Sequence, residues 1–350
     1  MTDVTQRSAR RTAADTEPMV LAFDVVVTAV RDLTPTFRRI TFGGACLTGF
    51  GVVGDTLDLR IKIVIPSEGR DAPDIAAMMS SGDASGWYQR WLGLDAADRG
   101  SMRTYTVRES RCSGPRPEID VDFVMHLDAH GRGGPAAEWA AAARPGDKVC
   151  VIGPNASAAQ CRTAGAYGGI EWSPGLAQHV LLAGDETAVP AISAILEALP
   201  EDIGGHAFLE VPDGQDIRPI RSRSSVQVTW LPRGDRPHGE HLEAAVRDAV
   251  RVPGWVSLSG RESANGGGEP EDVDIDRTIL WETPQLLETA IVRSTVNPER
   301  PPGTQPFYAW IAGEAAVVRS LRRYLVRDVG VDRKQVAFMG YWRKGRAEQA

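Results

Sequence analysis

From Val20 onward, apolar and polar residues alternate through a series of short segments: Leu21–Val30, Thr36–Phe42, Thr56–Ile65, Met102–Arg108 and Glu118–Leu127. Alternation with period two between turn residues predicts strands with one buried face, and a run of such strands predicts a small antiparallel β-barrel. Ser67–Gly100 interrupts the run with polar, glycine-containing sequence around Trp87, Tyr88, Trp91 and Leu92. It reads as a long excursion carrying one short helix, either a lid packed on the barrel or a segment lining a ligand mouth. Gly153-Pro154-Asn155 breaks the last barrel strand, and the small, turn-rich stretch Ala156–Gly175 is a candidate linker.

Beyond the linker the period changes. His179–Ala183 is a continuous apolar run, Ala188–Leu199 is compatible with a helix, Ala207–Val211 and Val226–Leu231 are strand-like, and His241–Val250 is helical again. Gly260–Gly268 followed by the acidic Glu269–Asp276 reads as a solvated loop, and the chain closes with a strand at Phe307–Ala312, a helix at Glu314–Val326 and a strand at Gln335–Tyr341. Alternating strands and helices predict a parallel α/β sheet. The expected organisation is a disordered tail at 1–19, a barrel domain at 20–155, a linker at 156–177 and an α/β domain at 178–350. A chain of 350 residues agrees with two domains at roughly 100–200 residues each.

Composition narrows the partners. A net charge of −7 gives no global field for nucleic acid or an anionic membrane, so a bound anion must be met locally. The polar start of the chain, with Arg7, Arg10 and Arg11, has no apolar core of a secretory signal, and the most apolar long stretch, His179–Leu199, contains Asp185, Glu186 and Pro190. No membrane span is expected. Cys46, Cys112, Cys150 and Cys161 are dispersed without a CxxC pair, which fits reduced thiols in the cytoplasm and supports neither an iron–sulfur cluster nor a zinc or other metal site.

Five segments carry candidate chemistry. Arg103 and Tyr105 share one face of a strand whose other face holds Thr104 and Thr106, a pairing that suits a ligand with a phosphate and a flat ring, or an ordinary barrel surface. Downstream, a strand ending near His126 leads through a loop with Gly131, Gly133 and Gly134 to Pro135, which opens an Ala-rich helix containing Trp139. Proline at the first helical position after glycines leaves N–H groups and the positive helix end for an anion, unless the helix merely closes the barrel. Leu181–Ile192 runs from a buried strand through Gly184-Asp185-Glu186-Thr187 into a helix, with Thr187 as expected N-cap. Trp310–Ala315 repeats the strand, glycine and helix-start pattern, placing Glu314 near a positive helix end. The fifth segment, Gly340-Tyr341-Trp342-Arg343-Lys344-Gly345, sets two aromatics and two cations at a strand end.

In this order, RTYTVR (Arg103–Arg108), the segment Asp120–Asp147, LLAGDETAVPAI (Leu181–Ile192), VTWLPR (Val228–Arg233), WIAGEA (Trp310–Ala315) and GYWRKG (Gly340–Gly345) resemble the siderophore-interacting protein family of FAD-dependent ferric-siderophore reductases, over about 240 residues. The resemblance implies a ferredoxin-reductase-like build, with an antiparallel flavin-binding β-barrel followed by a Rossmann-like parallel sheet for NAD(P)H. It implies that Arg103 contacts the FAD phosphates, that Tyr105 packs on the isoalloxazine and that Thr106 hydrogen-bonds its edge. It further implies that His126 and the Gly134-Pro135-Ala136-Ala137 turn hold the pyrophosphate and adenine side, with Trp139 packing behind. Asp185, Glu186, Thr187, Gly313 and Glu314 would lie beside the nicotinamide, and Arg233 would meet the extra phosphate of NADPH. Lys62 and Arg60 are candidates for attracting an anionic ferric siderophore. Ser67–Gly100 and Ser257–Asp276 look longer than the family's usual connections.

The implied reaction passes electrons from NADPH or NADH, or from a ferredoxin-like donor, through FAD to Fe(III)-siderophore, releasing Fe(II) with no protein nucleophile. Two other readings stay open on sequence: a flavin-dependent NAD(P)H oxidoreductase with a quinone or free flavin as acceptor, and a non-catalytic siderophore- or flavin-binding protein.

Overall fold

The computed structural model describes residues 17–80, 86–250, 281–283 and 307–345. The expectations for most of the N-terminal tail and for Ser257–Asp276 lie outside the described residues.

Seven antiparallel strands form the first sheet: β1 (Val20–Asp32), β2 (Phe37–Gly43), β3 (Arg60–Ile65), β4 (Ser101–Thr106), β5 (Glu109–Arg111), β6 (Glu118–Val124) and β7 (Lys148–Pro154), in the order β4-β3-β7-β1-β2-β6-β5. β4 and β5 hold opposite edges, yet only Val107 and Arg108 separate them, a reach of roughly 11 Å at most. The sheet must therefore curl until its edges meet. Val107 N–H donates to the Leu59 carbonyl at 2.9 Å on one side of the seam and Arg108 N–H donates to the Asp120 carbonyl at 2.8 Å on the other. The expected single strand Met102–Arg108 is thus cut at Thr106, where the chain crosses the seam. The expected strand from Thr56 likewise begins later, at Arg60, after a tight turn in which Leu57 takes φ 49°.

Inward positions build the barrel core from Phe23, Val25, Ile40, Phe42, Ile61, Ile63, Val121 and Phe123. The outer face of β3 and β7 is also covered. The described residues of the excursion form three short helices where one was expected: α1 (Ile75–Ser80), α2 (Trp87–Leu92) and α3 (Ala96–Arg99). Trp91 and Ile75 pack on Val64, Met102, Cys150 and Ile152 as core, with Trp87 and Tyr88 partly buried against them. Burial there pushes the Cys150 thiol up to about 12. α4 (Pro135–Ala142) closes one end of the barrel, with Trp139 stacked on Phe42 at 6.3 Å.

The second sheet comprises β8 (His179–Gly184), β9 (Gly204–Val211), β10 (Ser225–Pro232), β11 (Trp281–Glu282), β12 (Phe307–Glu314) and β13 (Val336–Trp342), in the order β10-β9-β8-β12-β13-β11. All neighbours are parallel except β11, which runs antiparallel to β13. α5 (Val189–Ala198) packs on one face, while α6 (Glu240–Ala249) and α7 (Ala315–Arg322) pack on the other. α7 ends earlier than the expected Val326 because wider turns at Arg323–Val329 replace its last part. The chain winds outward from β8 to β10 and returns on the other side at β12. That reversal puts a ligand crevice at the carboxyl ends of β8 and β12.

Polar contacts, most of them buried, join the sheets. Asp216 accepts from Thr34 Oγ1 at 2.6 Å and from Thr36 N–H and Oγ1 at 3.0 and 2.7 Å. Asp58, just before β3, accepts from Trp172 N–H at 3.1 Å and from Trp310 Nε1 on β12 at 3.0 Å. Arg108 at the seam pairs with Glu197 of α5 at 2.7 Å. Among the described residues, no helix is long and apolar enough to cross a membrane.

Candidate functional site at the junction of the two sheets

The turn after β8 gathers the α/β half of the site. Asp185 is 2% exposed. Its Oδ1 accepts from Thr187 N–H and Oγ1, and its Oδ2 accepts from Glu314 N–H at 2.8 Å and Trp342 Nε1 at 2.8 Å and lies 3.1 Å from His238 Nε2. Three strand ends, β8, β12 and β13, are thereby tied to one carboxylate. Gly313 permits the approach: its φ is +143°, and a Cβ there would lie 2.6 Å from Asp185 Oδ2. Burial disfavours the charged form of His238, but hydrogen bonding and attraction to Asp185 outweigh it, and its pKa is raised.

Thr187 does not cap α5. Its hydroxyl is drawn to Asp185, the N-cap is Ala188, and no side chain caps the first turn. The α5 N-terminus at the crevice is therefore free of a side-chain acceptor. α7 differs, because Glu314 is its N-cap and accepts from Ala316 and Val317 N–H at 2.7 and 3.1 Å.

Glu186, 1% exposed, links the two domains. Arg233, one residue past β10, grips it through both guanidinium NH groups at 2.9 Å, and His126, two residues past β6, lies 2.9 Å from its Oε1. Burial pushes the Glu186 carboxyl up, but the bonds from His126 and Arg233 prevail and hold it at about 2. Arg233 also reaches Glu210 at 3.3 Å, while Glu210 accepts from Gly239 and Leu242 N–H at the start of α6. The guanidinium expected at a ribose phosphate is thus engaged by two internal carboxylates.

The barrel supplies the other half. Register puts Arg103 and Tyr105 opposite Ile63 and Ile61, and Thr104 and Thr106 opposite Lys62 and Arg60, so the two faces divide as the alternation predicts. Tyr105 lies against Phe123 with ring centroids 4.3 Å apart, and Arg103 NH1 donates to the Met102 carbonyl at 2.8 Å. Pro135 stands in the first turn of α4 after the N-cap Gly134, again with no side-chain cap, and Ala136 and Ala137 are buried beside it. An uncapped helix start packed against the strand of Arg103 and Tyr105 fits a dinucleotide with phosphates and a flat ring.

Lys62 is exposed, with Nζ 3.4 Å from Thr104 Oγ1. Arg60 is drawn away from solvent: it pairs with Glu171 at 3.1 Å and lies over the Trp281 ring at 4.5 Å, which itself stacks on Tyr341 at 5.9 Å. The structure therefore brings His126, Asp185, Glu186, Thr187, Arg233, Gly313 and Glu314 into one network, places Arg103, Tyr105, Trp139 and the Gly134–Ala137 turn in a second group on the barrel, and sets Arg60 apart. Sequence reading passed over His238 and Glu210. His238 was findable as a polar residue in a Pro-His-Gly turn beyond a parallel strand.

A curled antiparallel sheet followed by a doubly wound sheet defines a ferredoxin-reductase-like fold. The model for the siderophore-interacting FAD-binding domain matches residues 26–158 and that for siderophore-interacting protein matches 177–345. The chain belongs to the siderophore-interacting protein family. It is 33% identical over 330 residues to an uncharacterised protein of Mycobacterium tuberculosis, covering 94% of this chain and 92% of that one. It is 27% identical to the ferric vibriobactin reductase ViuB of Vibrio cholerae, covering 89% and 86%. The crystal structure of the siderophore-interacting protein SipS from Aeromonas hydrophila superposes with a TM-score of 0.57 at 24% identity, covering 94% of each chain, a likeness of fold.

Proposed function

We propose that this chain is an NAD(P)H-dependent ferric-siderophore reductase with FAD as its resident cofactor. The observation that carries the reading is the His126–Glu186 contact at 2.9 Å, which joins the end of a flavin-domain strand to the switch point of the α/β sheet. A donor seated at that crevice would face a flavin on the barrel.

In this reading Arg103 and the first turn of α4 hold the FAD pyrophosphate, while Tyr105 and Thr106 position the isoalloxazine. Asp185 fixes the ends of β8, β12 and β13, so that the N-terminus of α5 stays open to the donor's phosphates. Glu186 stays ionised and aligns His126 and Arg233 at the domain boundary. Bound FAD supplies the conversion of a two-electron hydride donor into single-electron transfers. The overall balance is one NAD(P)H and two Fe(III) giving NAD(P)⁺, a proton and two Fe(II). Lys62 stands on the exposed barrel face as the candidate for steering an anionic chelate. The dispersed cysteines would remain thiols in the cytoplasm.

The FAD-loaded protein tests this anaerobically. NADPH or NADH should bleach the visible flavin bands, and a ferric siderophore should restore them. Protein that takes up no FAD, or bands that never bleach, would refute the reading.

A further inference from the structure

A cleft of about 600 Å³ opens beside the Asp185 turn, lined by His238, Glu243, Glu314, Arg319, Arg343 and Lys344 among others. Its carboxylates are already engaged. Glu314 caps α7 and accepts from Lys344 N–H at 3.2 Å, and Glu243 accepts from Ser320 Oγ at 2.6 Å. Of its cations, the side chains of Arg319 and Lys344 make no ion pair among the described residues. Charged groups of both signs line the cleft, but its carboxylates are spent on internal donors while Arg319 and Lys344 keep bonding capacity, so the cleft suits a compact anion.

Its position indicates which anion. His126 on the barrel side, Trp342 and His238 follow one another with ring centroids 5.8 and 5.0 Å apart, leading from the flavin domain to the cleft. His238 is both a cleft wall and a partner of Asp185. A donor with its nicotinamide at the domain boundary would extend its adenosine end this way. Arg233, the other candidate for an extra phosphate, is held by Glu186 and Glu210.

We infer that this cleft binds the 2′-phosphate of NADPH, with Arg319 and Lys344 as the residues that select NADPH over NADH. The inference rests on the proposed donor site and deepens it.

The test reads nucleotide binding without electron transfer. Calorimetric titration of the FAD-loaded full chain with adenosine 2′,5′-bisphosphate and, separately, with 5′-AMP should show the bisphosphate binding at least about tenfold more tightly. The double variant Arg319→Ala/Lys344→Ala should lose that preference, keep 5′-AMP binding and keep the parent flavin spectrum, which reports an intact fold. Arg319→Lys should retain part of the preference. Equal binding of the two probes by the parent, or an unchanged preference in the double variant, would overturn the inference. Displacement of the bisphosphate from the cleft by a ferric siderophore would assign the cleft to the chelate and also overturn it. A failure of the broader reading looks different, as absence of flavin bleaching by either nucleotide.

Discussion

His126 and Glu186 stand 2.9 Å apart although 60 residues separate them and each lies just beyond a strand of a different sheet. Because Glu186 is almost fully buried, that contact is secured only while Arg233 completes the charge balance. Glu186→Gln should therefore destabilise the protein by about 3 kcal/mol, since it leaves Arg233 facing Glu210 alone. Urea denaturation measures the loss. Flavin content should stay at the parent level, while flavin reduction by NAD(P)H slows.

The same network sets a pH window. The folded Glu186 pKa, about 2, lies below its ordinary 4.5, so its contribution is fully present above 4.5 and is lost as pH falls toward 2. His238 is raised above 6.5, so its contribution is full below 6.5 and is lost as pH rises through its folded value. Melting temperature against pH should decline on both limbs. Glu186→Gln should flatten the acid limb and His238→Gln the alkaline one.

Asp58 has the opposite sign for a carboxyl group. Burial raises it to about 6, and the hydrogen bonds from Trp172, Trp310 and Glu171 offset burial only in part. Its contribution is full below 3.8 and is lost as pH rises through about 6. Asp58→Asn should remove this slope from the melting curve. An unchanged slope between about pH 4 and 7 would show that Asp58 does not titrate there.

Gly313→Ala would set a methyl group 2.6 Å from Asp185 Oδ2 on a residue with φ +143°. A loss of about 1–3 kcal/mol is expected from the backbone strain alone. Thermal melting reports that loss. Because Asp185 must move, nucleotide affinity should fall in parallel, which a change confined to the core would not produce.

Arg103→Gln and Tyr105→Ala should each lower FAD occupancy of the purified protein, measured as the ratio of visible to ultraviolet absorbance. The variants should keep the parent far-ultraviolet circular dichroism, because both residues are only half-buried.

Locally encoded features were legible in the sequence. The change from period two to alternating strand and helix marks the two sheets, and strand, glycine and helix-start patterns marked the turns at Asp185 and at Gly313-Glu314, which the family resemblance set beside one ligand. Features decided by distant partners were not. Thr187 satisfies the N-cap rule, yet Asp185 two residues earlier takes its hydroxyl. RTYTVR keeps strand alternation across a seam that only the closed sheet defines. Asp58 and Trp310 meet across 252 residues, and no periodicity encodes such a pairing. Trp91 of α2 is core because it covers strand faces that alternation alone would assign to solvent.

The most direct measurement is the anaerobic stoichiometry of iron release, in which FAD-loaded protein is given limiting NADPH and excess ferric siderophore with a ferrous chelator as reporter. The account predicts two Fe(II) captured per NADPH oxidised, dependent on bound FAD. NADPH oxidation with no Fe(II) released, or no oxidation at all, would contradict it.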